Sequence, residues 1–236
     1  MAEKLKLILR PIPWSLLLKA AAFGVGWLIL PFWVFVVLAA LLYFLPVFQV
    51  LKLLFPFVLT LILAYLVPPS LWAGLFLSAL FFFILGVKDL VLIDRAAAFR
   101  FLLYILLFVA FFYSFSQFDS GLTIYSFSWF FVLSALFTLL LGNFFRYSGL
   151  GLEKKRFKNT ALSILGLLLF EFSLAILFLP LNFFVSALLL FTVAVIFFEL
   201  SADYFSARLT LRRILGYGTV FFLVYILIFA SQNFTI

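Results

Sequence analysis

Eight acidic residues occur in 236, and there is no histidine or cysteine. Any chemistry must therefore run through a few carboxylates, hydroxyls, amides and basic groups. Glu171 stands out as the one acid well inside a long apolar segment. An ionised carboxylate is costly in an apolar medium, so such a group is a candidate for coupling to protons or ions. In protonated form it could instead hydrogen-bond between helices. With a chain reversal at Pro180-Leu181-Asn182, Glu171 falls near the depth of residue 190, which makes Thr192 its nearest polar neighbour on the returning segment. Tyr225 falls at similar depth one segment later. The helical neighbours Ile164, Leu167, Leu168, Leu174, Ala175 and Phe178 are all apolar. No polar track leads to Glu171, which favours a structural role.

Further chemistry-bearing residues sit in two of the gaps between apolar runs. One holds Lys88, Asp89, Asp94, Arg95 and Arg100, and the other Glu199, Asp203, Arg208, Arg212 and Arg213. Glu199 and Asp203 are i,i+4 neighbours, as are Arg208 and Arg212, so each pair shares a helix face. Carboxylates and guanidinium groups brought together at a membrane surface would suit a phosphate headgroup. Asp94, Arg95, Asp203, Arg208 and Arg212 form this candidate interface site.

The stretch Asp203-Tyr204-Phe205-Ser206-Ala207-Arg208 resembles the D-x-x-x-A-R opening of the CDP-alcohol phosphotransferase motif. That family implies a membrane enzyme joining a nucleotide-activated lipid to an alcohol, with paired aspartates holding a divalent metal. Here Tyr204 replaces the motif's first glycine, and nothing from Tyr217 to Ile236 is acidic. The resemblance covers six residues without the metal ligands, and it is set aside. There is also no phosphate-binding G-x-x-x-x-G-K-[ST] loop, no H-E-x-x-H and no G-x-S-x-G elbow. No cofactor is expected, and no catalytic motif is found.

The elements that must position these residues follow from composition. Hydrophobic residues make up 69% of the chain and charged ones 10%, with 38 phenylalanines and a mean hydropathy of +1.38. Soluble domains carry roughly a quarter charged residues, so too few polar groups exist here to coat a water-facing surface. Intrinsic disorder is excluded on the same ground. The net charge of +8 does not indicate nucleic acid, because the basic residues fall between apolar runs, as in the cytoplasmic loops of membrane proteins.

Four of the five apolar runs are long enough to cross a bilayer twice. Each has a turn signal near its middle: Pro31, Pro68-Pro69-Ser70, Ser116 to Gly121, and Pro180-Leu181-Asn182. The expected fold is all-α, a polytopic membrane protein of about nine transmembrane helices. Spans are expected near 15–30, 32–48, 53–68, 70–87, 97–115, 123–142, 159–179, 181–199 and 214–231, as four hairpins and a final single span. Residues 1–14 form an interfacial N-terminus, and 1–236 one integral membrane domain. With the N-terminus cytoplasmic, all 16 Lys and Arg residues lie on the inner side. Two readings of 15–48 compete with a hairpin of full spans: a re-entrant pair, and one helix kinked at Pro31. Trp14, Trp27, Trp33 and Trp72 lie near span ends, where interfacial anchors belong, whereas Trp129 does not.

The functional expectation is a non-catalytic transporter-like or scaffold subunit in the inner (plasma) membrane. Its partner is the lipid bilayer, with anionic headgroups at the basic loops. A lipid-modifying enzyme at the cytoplasmic interface is the alternative.

Overall fold

The apolar runs are helical where described, and Pro31, Pro68-Pro69-Ser70 and Pro180-Leu181-Asn182 fall between or at the ends of helices, whereas the expected turn at Ser116 to Gly121 lies outside the described residues from 118 onward. The computed structural model describes residues 14–45, 50–88, 95–117, 124–148 and 155–231. Among these there are nine helices and no strand. They are α1 (Trp14–Ile29), α2 (Phe32–Phe44), α3 (Val50–Leu66), α4 (Leu71–Lys88), α5 (Arg95–Gln117), α6 (Ile124–Ser148), α7 (Lys155–Leu177), α8 (Phe183–Phe205) and α9 (Leu211–Ser231). The helix starts are locally encoded. The Ser70 hydroxyl accepts the Ala73 N–H at 3.2 Å, and the Asn182 side chain accepts the Val185 N–H at 2.9 Å. Each supplies an oxygen to a backbone donor that the first helical turn leaves unpaired.

Six described helices, α4 to α9, are long and apolar enough to cross a membrane; α1, α2 and α3 are shorter apolar helices. The chain is thus an all-helical protein with the make-up of a multi-pass membrane protein. At the basic ends the helices outrun the expected spans: α6 continues to Ser148, α8 to Phe205, and α7 starts at Lys155. Charges mark where an apolar medium ends, but the backbone hydrogen-bond ladder can continue into water or headgroups.

The chain falls into two compact units, residues 1–103 and 104–236. In the first, α1 and α2 form an antiparallel hairpin around Pro31, which removes the single-kinked-helix reading. Phe23 of α1 meets Phe35 of α2 edge-on at 4.9 Å. The Lys19 ammonium, near the start of α1, donates to the Leu45 carbonyl just past α2 at 2.6 Å. Helix α1 approaches α4 closely where Gly24 faces Gly74 and Ser78. A Cβ on Gly24 would stand 2.9 Å from the Gly74 carbonyl oxygen and would also collide with the Ser78 hydroxyl. Beside this approach Phe23 stacks on Phe81 at 4.2 Å, and Tyr43 stacks on Phe57 at 4.1 Å.

In the second unit α6, α7, α8 and α9 pack in succession. Phe170 of α7 meets Phe127 and Phe131 of α6, whereas Gly166, one turn earlier, faces Ser134 and Thr138. That opposed register is antiparallel. Helix α5 lies along α8 through rings: Phe112 against Phe183, Phe108 against Phe191, and Tyr104 against Phe198. The contact is mostly edge-to-face, the geometry that aromatic quadrupoles favour. The large rings hold these two helices apart, whereas the glycine pair draws α1 and α4 together.

Candidate functional site

The densest polar constellation in the second unit joins the ends of α5, α8 and α9. Helix α8 ends in a Schellman turn, with the Arg208 N–H donating to the Asp203 carbonyl at 2.9 Å and the Ala207 N–H to the Tyr204 carbonyl at 3.1 Å. Ala207 takes φ +54°, a left-handed conformation normally reserved for glycine. This reversal lays the first turns of α9 against the last turns of α8. The Arg213 guanidinium donates to Asp203 Oδ1 at 2.5 Å, and the Tyr217 hydroxyl donates to Oδ2 at 2.9 Å. One turn up α8, Glu199 accepts the Tyr104 hydroxyl.

Asp203 and Glu199 share one face of α8, and Arg213 and Tyr217 share one face of α9, both by i,i+4 spacing. Arg212 lies about 100° around the helix from Arg213, and it and Arg208 are exposed. Of the expected interface set, Asp203 is paired with Arg213, and neither Arg208 nor Arg212 is bonded to its side chain. Asp94 lies outside the described residues, as does the side chain of Arg95. Tyr104 and Tyr217 were missed as partners because a tyrosine in an apolar helix carries no signal of which acid it faces.

Chemically, this cluster locks the helices. Both Asp203 oxygens are occupied, and its charge is balanced by Arg213. Among the described residues no group of three or more potential metal ligands exists.

In the first unit, Lys88 closes α4 and is fully buried. Its ammonium donates to the Tyr43 carbonyl in the last turn of α2 and sits 5.0 Å from the centroid of the Tyr43 ring. Lys19 and Lys88 thus cap one helix end, where unpaired carbonyls and the helix dipole concentrate negative charge. Although Lys88 opens one of the charged gaps between apolar runs, its long apolar stem lets it enter the core and find a carbonyl. Trp27 also departs from its expected interfacial role. It is buried, and its indole N–H donates to the Ala64 carbonyl at 2.8 Å. Trp14, Trp33 and Trp72, by contrast, are exposed. Trp129, away from its span ends, donates to the Ser114 hydroxyl at 2.8 Å.

Glu171 lies on the outward face of α7. The packed face of that helix carries Leu162, Gly166, Leu169, Ser173 and Ile176. Glu171 sits off this stripe among Ile164, Leu167, Ala175 and Phe178, all exposed. It makes no hydrogen bond or ion pair with any described residue. Thr192 donates to its own helix, to the Leu188 carbonyl at 2.9 Å, and Tyr225 is exposed with its ring beside Phe221. The structure does not join the three by hydrogen bonds. Phe172, beside Glu171, meets Phe197 of α8 rather than a residue near 189. Side chains lean toward the N-terminus of their helix, so on antiparallel helices they lean toward each other and pair residues at different depths.

No protein-family model, curated protein or solved structure matches the chain.

Proposed function

We propose that this chain is a nine-span membrane protein of the inner membrane, with N-terminus inside and C-terminus outside, acting as a scaffold subunit without a catalytic centre of its own. The observation that carries this reading is the outward position of Glu171. A permease that couples transport to an intramembrane carboxylate needs that group on a polar path inside the protein. Here it stands among exposed apolar side chains. On insertion scales an ionised side chain at the centre of a span costs about 3 kcal/mol, which favours a covered carboxylate in the working assembly. The engagement of Asp203 by Arg213 and Tyr217, and of Glu199 by Tyr104, weighs against the lipid-modifying enzyme. The short helices α1 and α2 form a hairpin whose lysine-capped end supports the inner placement of the basic residues.

The scaffold reading is tested by extracting the full-length protein in native nanodiscs and measuring subunit mass and composition. A second membrane polypeptide at fixed stoichiometry is expected. Purified chain that alone drives Glu171-dependent proton uptake in vesicles overturns it. The orientation is tested by cysteine labelling on this cysteine-free chain: Ser120→Cys reacts with an impermeant maleimide from outside, and Lys155→Cys only from the cytoplasmic side. The reverse pattern overturns the proposed topology.

A further inference from the structure

We infer that the outward face of α7 is the docking surface for a transmembrane helix of a different protein, one carrying a lysine or arginine level with Glu171. This deepens the scaffold reading and rests on it. The face is formed by Ile164, Leu167, Glu171, Ala175 and Phe178, which recur at three- and four-residue spacing along one side of the helix. It would be an ordinary lipid-facing stripe but for the carboxyl group two thirds of the way along. Lipid tails offer that group neither a hydrogen bond nor a counter-charge, whereas ionisable residues within membrane spans face protein or water and pair with other polar groups.

The second unit of a parallel copy does not supply the partner. In the second unit the described basic residues all lie at the other end of the helices. Arg146 is in the last turn of α6, and Arg208, Arg212 and Arg213 are at the junction of α8 and α9. Glu171 lies in the half of α7 away from that end, six residues before Leu177. The second unit of a copy sharing this orientation brings its own Glu171 carboxyl to that depth, a like group that supplies no counter-charge. Charge complementarity therefore points to a foreign helix with a cation where this unit has none, and Ala175 leaves room beside the carboxyl for a long basic side chain.

The test uses full-length protein in phosphatidylcholine vesicles. The probes are a dye-labelled polyleucine transmembrane peptide with one central lysine, its all-leucine counterpart and one with a central aspartate. Energy transfer to a dye near the C-terminus of α7 reports binding. The lysine peptide is expected to bind about tenfold more tightly than the leucine peptide. Glu171→Leu should abolish that preference, and Glu171→Lys should transfer it to the aspartate peptide. Equal affinity of the lysine and leucine peptides for the unmodified protein overturns the inference. So does Glu171-dependent transfer between two labelled copies without any peptide preference, which assigns the face to self-association. Either result leaves the scaffold reading standing if native nanodiscs still hold a second polypeptide. Loss of that polypeptide removes the scaffold reading independently of the peptide result.

Discussion

Ala207 carries the turn on which the α8–α9 cluster depends, and it does so in a conformation that suits glycine better. A Cβ in the left-handed region costs about 1–2 kcal/mol, partly offset because alanine leaves the unfolded chain less freedom than glycine. Ala207→Gly should therefore stabilise the protein by roughly 0.5–1 kcal/mol. The check is the midpoint of thermal unfolding in detergent micelles. An unchanged or lower midpoint would mean that the alanine side chain contributes packing that outweighs its strain. The two lysines on the end of α2 form a second contrast. Lys88 is fully buried, so Lys88→Ala leaves the Tyr43 carbonyl without its charged donor and should cost about 2–3 kcal/mol. Lys19 makes an exposed bond to Leu45, so Lys19→Ala should cost under about 1 kcal/mol. Unfolding titrations with a denaturing detergent would read both, and equal losses would contradict the burial argument.

At the scale of elements, backbone approach and ring packing set the helix spacing. Gly24 admits α4 to within contact of α1, and a methyl group there meets the backbone oxygen of Gly74, which cannot rotate away. Gly24→Ala should destabilise the first unit by about 1–3 kcal/mol, the range for overpacked sites. Gly218, on the open face of α9, has nothing within 4 Å of its would-be Cβ. There Gly218→Ala should gain up to about 1 kcal/mol from helix propensity alone. Opposite signs in the same melting assay are the expected outcome, and a stabilising Gly24→Ala would show that α1 and α4 do not pack as described. The glycine-lined pair was not legible beforehand. Nothing in the local sequence names Gly74 and Ser78 as the surface that Gly24 meets.

For the whole molecule, the net charge of +8 and the gathering of basic residues at the helix ends predict a preference for anionic lipid. Each lysine or arginine near such a surface contributes about 1 kcal/mol of attraction, screened within a Debye length. The melting midpoint should rise when phosphatidylglycerol replaces phosphatidylcholine in nanodiscs. The rise should shrink as salt increases from low ionic strength to about 0.5 M, where screening is stronger. A lipid effect indifferent to salt would assign it to acyl-chain fit instead.

Composition alone determined the solvent and the secondary structure of this protein. A chain 69% hydrophobic must satisfy its backbone internally, which selects helices, and Pro31, Ser70 and Asn182 mark where helices are interrupted. It did not determine which face of each helix is packed. In a soluble helix a polar stripe points away from the core, but here Leu167 and Leu169 are equally apolar while the first is exposed and the second buried. Only the fit of rings, glycines and hydrogen bonds between helices decides such cases. That fit turned Lys88 and Trp27 inward, gave Asp203 to Arg213 and Tyr217, and left Glu171 on the outer surface of α7.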